Sequence, residues 1–165
     1  VDYIDQLEDK ASKILVPGAG NAYEVEYLHE SGFKNTYMLD ISPLAIESFR
    51  KRLPAFPEDH MFNENFFDHK LKYDIIIEQT FFCALDPGLR VDYVQKMYEL
   101  LKPGGKLAGL LFNFPLTEEG PPFGGSLKEY QNLFQQKFNI KIMEPCYNSI
   151  VPRAGKELFI LLIAK

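Results

Sequence analysis

Residues 13–32, KILVPGAGNAYEVEYLHESG, decide the fold. Ile14-Leu15-Val16 is an apolar run short enough to be one buried strand. Pro17-Gly18-Ala19-Gly20 follows, a turn in which the backbone can lie close to a ligand. Asn21 suits a helix N-cap, and residues 23–29 carry a helical pattern. Strand, glycine turn and helix form the first βα unit of a doubly wound α/β sheet. Ligands in such sheets sit beyond the carboxyl ends of the strands. Twenty residues after Gly20, the run Tyr37-Met38-Leu39 ends in Asp40. That spacing brings a carboxylate to the glycine turn, where it can accept hydrogen bonds from ribose hydroxyls. Two blander alternatives stand beside these assignments: a mere tight turn at the glycines, and an Asp40 that caps the helix begun by Ser42 and Pro43.

Outward from this unit, residues 3–12 resemble the tail of a helix with Ile4 and Leu7 on one face. Downstream strands are expected at 37–41, 60–62, 73–79, 106–114, 140–143 and 157–164. Helices are expected at 43–52, at 89–101 and, capped by Ser126, up to about 138. Lys102-Pro103-Gly104-Gly105 ends the second of these. The loop 115–125 is long and holds Gly120-Pro121-Pro122-Phe123-Gly124-Gly125; such loops in compact domains tend to carry function.

Composition narrows the function classes. With 165 residues, 46% apolar and 25% charged, the chain is expected to form a single domain, 1–165, with a proper core. The net charge of −5 and the lack of a polybasic run argue against nucleic acid or an anionic membrane as partner. Arg50-Lys51-Arg52 falls at a helix end, where cations suit the dipole. No membrane-length apolar run and no signal peptide are visible, and Cys83 and Cys146 form no disulfide framework. A cytoplasmic monomer is the expectation. His29, His60 and His69 lack metal-ligand spacing, so no metal site is expected.

The glycine turn is not a phosphate loop, because G-x-x-x-x-G-K-[ST] is absent. A dinucleotide fingerprint needs a third glycine where this chain has Tyr23. A bulky residue there disfavours a pyrophosphate on the helix N-terminus and fits a nucleoside ligand without phosphate, such as S-adenosylmethionine. A nicotinamide-dependent oxidoreductase, the rival enzyme class, requires that glycine and a catalytic Tyr/Lys or His arrangement, and neither is evident in this chain.

The order VPGAGN, LDIS, NENFFD, YDIIIEQTFFCAL, LLKPGGKL and GPPF resembles a class I S-adenosylmethionine-dependent methyltransferase. More narrowly it is similar to the thiopurine S-methyltransferase family, especially its halide/thiol methyltransferase branch, over residues 11–165. EQTFFCAL and GPPF are the specific parts. The resemblance implies a Rossmann-like sandwich on a mostly parallel seven-stranded sheet with an antiparallel last strand. It also implies methyl transfer from S-adenosylmethionine to a small thiol, bisulfide or halide by in-line displacement, leaving S-adenosylhomocysteine. A small-molecule O- or N-acceptor, and a domain that binds the cofactor without turnover, are the alternatives. Family members carry an N-terminal, tryptophan-bearing segment over the cofactor. This chain has no Trp, so such a segment is expected ahead of Val1.

Residue by residue, the resemblance puts Gly18 and Gly20 at the methionine portion of the cofactor, Asp40 on the ribose and Ile41 on the adenine. Asn65 and Phe66 stand where an Asp-Phe pair meets the adenine, and an amide can still bond its edge. Gln79 matches a cofactor-touching Tyr, and Glu78 is expected to reach the methionine amino group. For Glu78 and Gln79 the alternative is an ordinary polar strand end; for Asn65 and Phe66 it is a turn with a buried aromatic. Arg90 and Arg153 match arginines near the substrate and are the catalytic candidates. An Arg in a first helical turn opposes the dipole, which favours a functional role for Arg90; Arg153 could be a plain surface charge. Phe81, Phe82 and Phe123 are expected to line the substrate pocket, with simple core as the alternative for the first two. Cys83 is not expected to act as a nucleophile.

Overall fold

The computed structural model describes residues 2–165; Val1, and with it the expectation about what precedes it, lies outside the described residues. In chain order the elements are α1 (Asp2–Asp5), β1 (Ile14–Pro17), α2 (Tyr23–Glu30), β2 (Thr36–Asp40), α3 (Pro43–Arg52) and β3 (Met61–Asn63). Then come β4 (Tyr73–Gln79), α4 (Arg90–Leu100), β5 (Leu101–Phe112), α5 (Leu127–Phe134), β6 (Phe138–Pro145) and β7 (Glu157–Ala164). The seven strands form one sheet in the order β3-β2-β1-β4-β5-β7-β6. Strands β1 to β5 pair in parallel, and β7 runs antiparallel to both β5 and β6. This is the expected doubly wound α/β sandwich.

Strand periodicity divides the core into two layers, because alternate side chains point to opposite faces. Leu15, Leu39, Ile76 and Leu107 face α4 and α5, where Tyr93, Met97, Tyr130 and Phe134 are buried. Ile14, Val16, Met38, Ile75 and Ile77 face α2 and α3, against Val25, Leu28, Ile46 and Phe49. With both faces covered, the central strands are continuous apolar runs rather than alternating ones. The order reverses between β1 and β4, so a crevice opens beyond their carboxyl ends.

Several boundaries differ from those expected. The helix over residues 3–12 stops at Asp5: the Asp9 carboxylate takes the Ala11 amide at 3.0 Å and the Ser12 hydroxyl at 3.1 Å, a local competitor to helix. The N-cap of α2 is Ala22, at φ 54 with no side-chain cap, and not Asn21. Strand β5 begins at Leu101, with a register break between Tyr73 and Ile75 that absorbs Pro103 and Gly104 (φ 74). Strand β6 is longer than expected, and α5 ends at Phe134. The Ser42 and Ser126 caps form as the sequence suggests, accepting the Ala45 and Glu129 amides at 3.4 and 3.3 Å. Among the described residues no helix is long and apolar enough to cross a membrane.

Candidate active site

A cavity of about 310 Å³ lies beyond the carboxyl ends of β1, β2, β3 and β4. Gly18, Asp40, Ile41, Asn65, Phe66 and Phe81 line it together. They come from four separate connections, and the strand order alone brings them to one place. A second cavity, of about 260 Å³, opens elsewhere, between the segment from Gln6 to Ser12 and Ile75 of β4 with Lys106 of β5.

Asp40 ties the site together. Its Oδ2 accepts the Gly20 amide at 2.8 Å and its Oδ1 accepts the Ser42 amide at 2.8 Å. Asp40 therefore caps the entry to α3, the blander of its two alternatives, and it also braces the glycine turn. Each carboxylate oxygen keeps further acceptor capacity. Asn63 fixes the same corner from outside, donating from Nδ2 to the Asp40 and Ile41 carbonyls at 3.0 and 3.1 Å. Ile41 itself is 70% exposed, an apolar side chain left at the cavity rim.

Asn65 Oδ1 accepts the Phe67 amide at 3.0 Å, which leaves its Nδ2 donors for a ligand. Phe66 is buried edge-on to Phe81, with ring centroids 5.0 Å apart. Phe81 lies over Gly18 so closely that a Cβ at that position would overlap its ring. Gly18 also sits at φ 57, so glycine is required there twice over.

Other candidates lie elsewhere. Gly20 contributes through its bond to Asp40 and does not line the cavity, and Gln79 ends β4 half-buried beside it. Glu78 is fully buried and points away: Oε1 accepts the Phe81 and Phe82 amides at 2.8 and 3.1 Å, and Oε2 accepts the Tyr93 hydroxyl. Burial pushes its carboxyl pKa up, against the pull of those donors. Phe82 is core, packed edge-on to Tyr93 and Tyr130 at 4.9 and 5.5 Å.

Arg90 is 5% exposed. Its guanidinium donates to the Gly124 carbonyl at 2.6 Å, pairs with Glu129 and lies 4.9 Å from the Phe82 ring centroid. It thus fastens the 115–125 loop to α4 and α5. Phe123 sits on that loop, its amide bonded to the Cys83 carbonyl at 2.8 Å. Arg153 pairs with the buried Glu157 at 3.3 Å, stands over Phe112, and keeps about a third of its side chain exposed. Burial and the nearby Glu78 raise the Cys83 thiol pKa to about 11, although Arg153 and Arg90 draw it down.

Leu39, Phe67, Thr80, Ala84 and Leu85 complete the cavity wall and were not among the expected residues. Thr80 takes φ 62, and nothing in the residue type announces it. No cluster of metal-ligating side chains occurs among the described residues.

Known proteins share the fold. A methyltransferase of Methanosarcina mazei described as SAM-dependent superposes with a TM-score of 0.78 over 99% of this chain and 96% of its own, at 18% identity. A TehB-like protein of Corynebacterium glutamicum superposes with a TM-score of 0.75 over 99% and 86%. In sequence, the "probable thiol methyltransferase 2" of Arabidopsis thaliana is 38% identical over 126 residues, 73% of this chain; the match spans only 55% of that protein's length. Thiocyanate methyltransferase 1 of Brassica oleracea is 31% identical over 163 residues, 95% of this chain and 72% of its own. The profile of the thiopurine S-methyltransferase family matches residues 1–159, and the chain belongs to that family.

Proposed function

We propose that this chain binds S-adenosylmethionine and transfers its methyl group to a small, soft, anionic acceptor: a thiol, bisulfide or halide. The observation that carries this is the cavity itself, in which Gly18, Asp40, Asn65 and Phe66 converge. The fit rests on the chemistry of that set. Asp40 retains acceptor capacity for ribose hydroxyls, Asn65 retains amide donors for an adenine edge, and Ile41 and Phe66 offer apolar faces to the base. Gly18 lies in the cavity wall and, having no side chain, lets the Phe81 ring close over the turn. The match to a thiol and a thiocyanate methyltransferase supports the acceptor class.

When bound, S-adenosylmethionine supplies an activated methyl carbon on a positively charged sulfur. The protein's part is alignment and exclusion of water. Phe81, Phe66 and Leu85 give the cavity dry walls, where the loss of charge between an anion and a sulfonium is favoured over its loss in water. Holding two reactants in line contributes on the order of 7–11 kcal/mol. An acceptor that is already an anion needs no base. Arg153, partly exposed near Cys83, is the cation we assign to the acceptor side, with Phe123 as an apolar neighbour. Arg90 is already committed to Gly124 and Glu129, so we assign it the acceptor-side loop instead of the acceptor.

The test is headspace gas chromatography of the chain with S-adenosylmethionine and bisulfide or iodide. Methanethiol or iodomethane above the enzyme-free control is expected. Methylation of an O- or N-acceptor with no volatile product would move the assignment to another acceptor class.

A further inference from the structure

Glu78 is an acidic residue in the core that the cavity chemistry does not use. It sits one residue before the end of β4, with no exposed surface. Three protein donors nonetheless meet its two oxygens: the Phe81 and Phe82 amides on Oε1 and the Tyr93 hydroxyl on Oε2. Tyr93 stands on α4 and is itself buried, so the acid is backed by a rigid element. Between the acid and the two amides lies Thr80 at φ 62, a conformation that a β-branched residue takes at a cost. Thr80 and Phe81 form part of the cavity wall, and the Phe81 ring lies over Gly18. The strained corner is therefore held from beneath by one carboxylate, and the corner shapes the cavity.

We propose that Glu78 is a positioning residue for cofactor binding. It holds the Thr80–Phe81 corner by hydrogen-bond geometry, and it makes no charge contact with the ligand. This replaces the expected contact with the methionine amino group, because the side chain has no exposed surface and does not line the cavity. It rests on the cavity being the S-adenosylmethionine site.

Two conservative variants separate geometry from charge. Glu78→Gln keeps an acceptor oxygen at the same reach and turns an amide toward the Tyr93 oxygen, but loses the charge. Glu78→Asp keeps the charge and withdraws it by one methylene. The full chain and both variants are titrated calorimetrically with S-adenosylmethionine and S-adenosylhomocysteine, with thermal melts alongside. Glu78→Gln is expected to bind both ligands within about threefold of wild type, and Glu78→Asp to weaken both alike by about tenfold. Adding Thr80→Gly to Glu78→Asp should recover part of the loss, since glycine takes a positive φ without bracing. A Gln variant as weak as the Asp variant, a selective loss of the cationic ligand in the Gln variant, or an Asp variant that binds like wild type overturns the proposal. A wild-type chain that binds neither ligand overturns the assignment of the cavity as well.

Discussion

The amide of Gly20 donates to the carboxylate of Asp40 at 2.8 Å, so the turn after the first strand and the acid ending the second are one unit. The opposite oxygen of Asp40 holds the Ser42 amide at the same distance. Asp40→Asn turns one acceptor into an NH₂ group facing a backbone N–H. It is predicted to lower the unfolding free energy in urea by about 1–3 kcal/mol. It should also weaken S-adenosylhomocysteine about tenfold, by loss of a charge-assisted acceptor for ribose. Unchanged affinity in a folded variant would remove Asp40 from the ribose.

Gly18→Ala meets two obstacles. The left-handed conformation costs an alanine about 1–2 kcal/mol, and the new methyl overlaps the Phe81 ring. Loss of ligand binding with a lowered Tm is expected. Adding Phe81→Ala relieves the overlap but not the strain, so the double variant should regain only part of the stability, as read in denaturant melts.

The two arginines should separate by readout. Arg90→Ala strands the buried Gly124 carbonyl, with a predicted cost of about 1–3 kcal/mol in stability. Arg153→Ala alone would strand the buried Glu157. The paired variant Arg153→Ala/Glu157→Gln leaves no unpaired charge, and it is expected to raise KM for bisulfide while cofactor affinity holds. A rise in cofactor Kd instead would place Arg153 on the wrong side of the cavity.

Cys83 gives a pH signature. Its thiol pKa is raised to about 11 from an ordinary value of 9.0, chiefly by burial. The folded state keeps this proton where the unfolded state loses it, so stability is fully present below about pH 9 and falls toward pH 11. Cys83→Ala should flatten that decline in pH-dependent melts. At pH 8 a thiol reagent should modify the partly exposed Cys146 well before the buried Cys83.

What the sequence made legible was whatever periodicity and spacing control. The apolar runs of β1 and β4 marked central strands, and the distance from Gly20 to Asp40 placed an acid at the glycine turn. Glu78 was less legible, because a polar residue near a strand end is ordinarily solvated. Its true partners depend on the positive φ of Thr80, which no turn residue signals. Arg90 was expected near substrate because it matches substrate-side arginines of the family, and a cation opposing the dipole at a helix start favoured a functional role. Its burial answers a different need, the Gly124 carbonyl of a loop 34 residues away. The α2 cap went to Ala22 because the Gly20 amide turns to Asp40 and the chain closes early, through the Ala22 amide to the Ala19 carbonyl at 2.7 Å.

A crystal structure of the full chain with S-adenosylhomocysteine tests the central claim most directly. The predicted result is a ligand in the cavity between Gly18 and Phe66, its ribose hydroxyls on Asp40 and its adenine beside Ile41. A ligand bound elsewhere, or one whose ribose lies away from Asp40, would contradict the account.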